Sequence, residues 1–140
     1  MEDSCMTNIS WKYVTPLKEG TEIDVFEIKY CFQIPQDLKE CLYKNNGGVP
    51  SLSTYDFADN KGKVFGGLLS FNNDDPDNIY DYVDLFITDD GKRLKMFPFA
   101  IDPAGNFLCI ENGKVVFYNH EYDETAFICN SFSDFLEILY

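Results

Sequence analysis

Apolar positions along the chain fall into short runs with two different spacings. Within residues 34–48, Leu38, Cys41 and Leu42 share one face at helical spacing, Pro35 suits a first turn and Asn46-Gly47 suits a left-handed C-terminal cap. Pro50 then stops continuation. Ile79, Tyr82, Val83 and Phe86 recur at i, i+3, i+4 and i+7, which predicts a short amphipathic helix starting from Asp75-Pro76 with Asp77, Asp81 and Asp84 off its apolar side. Ser131, with Asp134 three residues on, forms a capping-box pattern ahead of Phe132, Phe135, Leu136 and Leu139, and so predicts a terminal helix.

The remaining runs are strand-like. Residues 64–71, Val-Phe-Gly-Gly-Leu-Leu-Ser-Phe, predict a buried strand with a bulge or close backbone approach at Gly66-Gly67. Phe97 to Ile101 predicts another strand, ended by the turn Asp102-Pro103-Ala104-Gly105. Phe107–Glu111 and Lys114–Asn119 flank Asn112-Gly113, the strongest short hairpin signal in the chain. Ala126 to Cys129 suits a last strand, and residues 8–20 suggest an irregular lead-in anchored by Trp11. Helices and mostly antiparallel strands segregate instead of alternating, so the expected class is α+β, one domain over residues 1–140.

Composition agrees with a folded core. The chain has 140 residues, 45% hydrophobic and 16% aromatic, which outweighs a charge imbalance that would otherwise suggest disorder. Eleven basic residues, of which Arg93 is the one arginine, face 24 acidic ones for a net charge of −13. Phosphate affinity comes from Lys and Arg, so direct nucleic-acid binding is excluded as a leading function, and an anionic membrane surface with it. Such a field steers basic proteins instead. Cys5, Cys31, Cys41, Cys109 and Cys129 are scattered without a CxxC pair, and Met1-Glu2-Asp3-Ser4 shows no secretory n-region or apolar run. The expectation is reduced thiols and a cytoplasmic protein.

Catalytic patterns are thin. His120, the single histidine, stands beside Glu121 and could pair with Cys109 or Cys129 as a dyad, but the simpler reading is a polar residue closing a strand. Asn72-Asn73-Asp74-Asp75-Pro76-Asp77, with Asp81 and Asp84, gathers oxygen ligands yet lacks the glycine and glutamate of a calcium loop. One histidine and no paired cysteines disfavour zinc. No phosphate-loop, dinucleotide or nucleophile-elbow motif occurs. Neither a metal nor another cofactor is expected, nor is enzyme activity.

The distinctive feature is acidic. No Lys or Arg occurs between Lys63 and Lys92, while Asp74, Asp75, Asp77, Asp81, Asp84, Asp89 and Asp90 accumulate around Tyr80 and Tyr82. A second group, Glu121, Tyr122, Asp123 and Glu124, lies in the cation-free stretch from Val115 onward. Each acid taken singly reads as a solvated surface residue. Together, carboxylates that steer and tyrosines that anchor form a candidate partner-binding surface.

Three groups of residues in register resemble the SMI1/KNR4 family, also called the SUKH superfamily, from about Trp11 to Leu139. They are Trp11, Phe26-Glu27, Ile34-Pro35-Gln36-Asp37-Leu38 and Asn46-Gly47-Gly48-Val49-Pro50; Pro98-Phe99-Ala100-Ile101-Asp102-Pro103-Ala104-Gly105-Asn106 with the strand after it; and Val115 to Glu121 with Ser131-Phe132-Ser133-Asp134-Phe135-Leu136. The resemblance implies a mixed, mostly antiparallel sheet packed with helices. It also implies a non-catalytic role, for many bacterial members that of an immunity protein neutralising a cognate toxin, often a nuclease. The alternative it leaves open is a regulatory or scaffold interaction domain. A basic toxin domain is the partner that charge and resemblance jointly suggest; oligomeric state is left open.

Overall fold

A computed structural model describes residues 9–140; Cys5 and the Met1–Ser4 segment lie outside the described residues. The sheet is a five-stranded antiparallel meander, β5 (Gly67–Leu68), β6 (Phe97–Ile101), β7 (Phe107–Glu111), β8 (Lys114–Asn119) and β9 (Glu124–Cys129), in that spatial order. Two further antiparallel pairs precede it: β1 (Trp11–Lys12) with β2 (Val49–Pro50), and β3 (Thr54–Phe57) with β4 (Asn60–Val64). Three helices, α1 (Glu22–Tyr30), α2 (Gln36–Asn45) and α3 (Phe132–Ile138), complete an α+β fold. Among the described residues every paired strand is antiparallel, and the parallel element is a single isolated bridge, Ser70 to Asn78.

The β7–β8 hairpin follows from its turn. Asn112 and Gly113 both take positive φ, 53° and 79°, the pair of left-handed conformations a two-residue turn needs to match strand twist. Phe107 and Tyr118 face each other across it, and both rings meet Phe86, with centroids 5.3 and 5.1 Å away. Phe117 points to the other face by the period of two and meets Phe57 of β3 at 5.4 Å. Covered on both sides, β6, β7 and β8 read as unbroken buried runs rather than alternating ones. Phe135 of α3 lies among Tyr55, Phe65 and Phe99, and Ser131 caps that helix by accepting the Asp134 amide at 3.0 Å, as its sequence predicts.

Several expectations needed correction. The segment 79–86 is not an α-helix but two 3-10 turns, Ile79–Asp81 and Val83–Phe86. Asn78, not Asp75, caps the first: its side chain accepts the Asp81 amide at 3.1 Å, while Tyr82 and Leu85 donate to carbonyls three residues back. Short polar side chains competing for the backbone hold the segment in this tighter winding. The predicted apolar set survives, with Ile79, Val83 and Phe86 buried.

The run 64–71 is likewise not one strand. Gly66 takes φ +80° and breaks it, and a Cβ there would stand 1.9 Å from the Ile101 carbonyl oxygen. The expected close backbone approach is real, and it ends β4 and starts β5. At the end of α2, Gly47 is left-handed as expected, but Asn46 is not and is fully buried. Part of the lead-in, Trp11–Lys12, is a strand, and the last strand begins two residues early, at Glu124.

α1 escaped the periodicity reading because it is apolar on two sides. Ile23, Phe26 and Tyr30 are buried while Val25 and Ile28 stay exposed. Lys39 of α2 ties it down by pairing with Asp24 at 3.0 Å and Glu27 at 2.6 Å, and Glu27 also accepts the Ile34 amide.

Candidate functional site

The buried polar residues among those described are Asn46, Ser70, Asn72 and Asn78, and they form a frame under the acidic loop. Asn46 donates to the Thr15 carbonyl (2.8 Å) and to Ser70 Oγ (2.9 Å), and its Oδ1 accepts the Phe71 amide (2.8 Å). Ser70 Oγ and Thr15 Oγ1 each donate to Asp75 Oδ2 at 2.7 Å, and Asn72 donates to the same oxygen at 3.2 Å. The Ser70 and Thr15 hydroxyls hold the Asp75 carboxyl below its ordinary pKa. Asn78 closes the loop by donating to the Asp75 carbonyl and to Asp81, both at 3.0 Å.

The acids placed by sequence thus divide by environment. Asp75 is half-buried and bonded inward; Asp74 is exposed and pairs with Lys18, which folds onto the loop from far along the chain. Asp77 takes φ +52° and accepts the Tyr82 hydroxyl at 3.1 Å. Asp81 and Asp84 sit exposed on the 3-10 turns. Asp89 and Asp90 occupy a tight loop closed by the Ile87–Leu94 bridge, where Asp90 accepts the Lys92 amide and the Thr88 hydroxyl. That loop also carries exposed Lys92 and Arg93, so the band ends in cations.

The tyrosines differ from one another. Tyr82 is half-buried, edge-on to Phe107 at 5.3 Å, and Tyr80 donates its hydroxyl to the Phe71 carbonyl. Tyr122 is 66% exposed in the turn between β8 and β9. In that turn Asp123 accepts the Tyr118 hydroxyl at 2.7 Å, which pushes the tyrosine's pKa up to about 12, while Glu121 and Glu124 face solvent. The two acidic segments approach each other through aromatic rings: Tyr82 and Phe86 pack on Phe107, whose ring lies 6.5 Å from that of His120, at the head of the turn.

His120 is exposed, whereas Cys109 is fully buried with its thiol pushed well up by desolvation. Cys129 is half-buried, its thiol donates to the Ser131 carbonyl, and burial raises it to about 11. Protonated thiols of this kind are poor nucleophiles. The four described cysteines are free, and no group of three or more metal-ligating side chains occurs among the described residues. Among the described residues no helix is long and apolar enough to cross a membrane.

Beside the acidic loop lies a cleft of about 410 Å³ that sequence reasoning did not single out. Its lining combines the glycines Gly47, Gly66 and Gly67, the apolar Val49, Leu68 and Ile101, the acids Asp75, Asp77 and Asp102, and Tyr13. The glycines belong to segments read only as a helix cap and a strand bulge, and Asp102 to a turn. The findable signal was the Gly66-Gly67 pair inside an apolar run, where the sequence already predicts a close backbone approach.

No curated protein and no solved structure matches the chain. A family model does, over residues 20–138, so with its α+β meander and registered motifs the chain belongs to the SMI1/KNR4 family (SUKH-1).

Proposed function

We propose that this chain is an immunity protein that binds and neutralises a cognate toxin, a nuclease domain being the class its charge fits best. Family membership supports the reading in its coarse form. The observation that carries it further is the concentration of exposed carboxylates on two segments joined around Phe107, Asp74 to Asp90 and Glu121 to Glu124. Nucleases must present cations to phosphates, and that basic surface is what an acidic face complements. The chain acts by occupation, without chemistry of its own, and in the cytoplasm of a bacterial cell where the toxin would otherwise work.

The test is co-expression with the product of the neighbouring coding sequence, a toxin and its immunity protein being made together. Restored growth, with a stable complex whose enzymatic activity is silenced, supports the reading. A complex that forms while the partner's activity is unchanged refutes neutralisation and favours a scaffold role.

A further inference from the structure

The cleft beside the acidic loop has a chemistry that singles out one kind of occupant. Its walls at Val49, Leu68 and Ile101 are apolar, whereas Asp75, Asp77 and Asp102 bring carboxylates and no Lys or Arg lines it. A purely apolar guest would leave those carboxylates desolvated and unpaired, and a small cation would leave the walls wet. A long aliphatic stem ending in a cation satisfies both.

The carboxylates are available for such a guest. The three hydrogen bonds to the Asp75 side chain all go to Oδ2, the Tyr82 hydroxyl goes to Oδ1 of Asp77, and Ala104 and Asn106 amides both go to Oδ1 of Asp102. Each carboxylate is therefore oriented through one oxygen, with the other left over. Gly47, Gly66 and Gly67 contribute only backbone to the lining, which leaves main-chain groups among the surfaces a guest can meet. At about 410 Å³ the cleft exceeds one side chain and accommodates adjoining backbone as well.

We infer that the cleft is an anchor site for a lysine or arginine side chain presented by an extended segment of the protein partner. This rests on the partner-binding reading above and specifies where and by what chemistry the partner is held.

The probes are three short peptides, acetyl-Gly-Arg-Gly-amide, acetyl-Gly-Lys-Gly-amide and the uncharged acetyl-Gly-norleucine-Gly-amide, titrated into the 15N-labelled full chain. The cationic peptides are expected to shift the amides of Gly47, Gly66, Gly67 and Asp102 saturably, with Kd of order 1 mM, as suits one anchoring side chain. Asp77→Asn and Asp102→Asn, which keep the oxygens that accept the structural hydrogen bonds, should each weaken this at least about threefold. Their spectra report directly whether the fold is retained. Equal binding of the norleucine peptide, or shifts spread over Asp84, Asp89 and Glu121 instead of the cleft, overturns the inference. A toxin complex unaffected by both substitutions overturns the cleft while leaving the immunity reading intact; peptide binding without any neutralised partner does the reverse.

Discussion

Replacing Asn46 with alanine tests whether the buried polar frame, and not the apolar core alone, sets the shape of the acidic loop. The side chain is fully buried and makes three short bonds, to the Thr15 carbonyl, Ser70 Oγ and the Phe71 amide. Ser70 Oγ keeps other partners in Asp75 and Asn72, so its loss is small. The buried Phe71 amide loses its acceptor and costs the larger share, with the Thr15 carbonyl adding to it. At 1–3 kcal/mol for a stranded buried group, the sum is about 3 kcal/mol. For a domain of this size that corresponds to a fall in Tm of about 10 °C. Urea unfolding should show the loss in midpoint with an unchanged slope. A double-mutant cycle with Ser70→Ala should give a coupling of at least about 0.5 kcal/mol, because the two side chains touch. A loss below about 1 kcal/mol with no coupling would mean that the frame is incidental and that water replaces it without penalty.

Gly66→Ala should cost more than about 3 kcal/mol or abolish folding, since the new methyl would stand 1.9 Å from the Ile101 oxygen at φ +80°; thermal melts decide it, and a near-wild-type Tm refutes the contact. Asp75 has a folded pKa below its ordinary 3.8, so its contribution is full above that value and is lost as pH falls through it toward the folded pKa. Asp75→Asn should therefore flatten the acid limb of stability against pH, measured by chemical denaturation from pH 7 to pH 2; an unchanged limb refutes the assignment. Asp84→Lys combined with Asp89→Lys should slow association with the co-expressed toxin by roughly two- to tenfold at low salt, with the difference fading in high salt. Stopped-flow rates independent of both the substitutions and salt would remove this surface from recognition.

Legibility followed local physics. The β7–β8 hairpin and the α3 cap were readable because Asn112-Gly113 and Ser131 act on their own neighbours, whatever the rest of the chain does. α1 was unreadable from period because Val25 and Ile28 interrupt its polar face. The β3–β4 hairpin was hidden for a related reason: β4 is almost wholly polar and exposed, and the left-handed turn position falls on Ala58 instead of on the neighbouring Asp59 or Asn60. Residues 79–86 kept their predicted buried face but not their winding, because Asn78 chose the hydrogen bonds and apolar spacing cannot report that. The acids of the candidate surface were all visible as residues. Which of them are bonded inward, as Asp75 is, depends on Thr15 and Ser70 arriving from separate elements, and only the fold brings those together.

The same convergence explains why recognition and folding are hard to separate in this chain. Gly47 and Gly66 are required by backbone geometry, one in a left-handed cap and the other against Ile101, and both also line the cleft. Asp75 braces the loop with one oxygen and faces the cleft region as a lining residue. Among the described residues, Lys18, Lys39 and Lys61 form ion pairs with acids, and with a net charge of −13 the chain retains a large excess of negative charge. Under the proposed function, a basic partner would relieve the repulsion within that excess at the moment of binding, adding to contact energy a term no neutral partner can supply. On that proposal, selectivity for cationic surfaces would come from the whole charge, and register on the partner from a few fixed points such as the cleft, which shares Thr15, Ser70 and Asp75 with the buried frame.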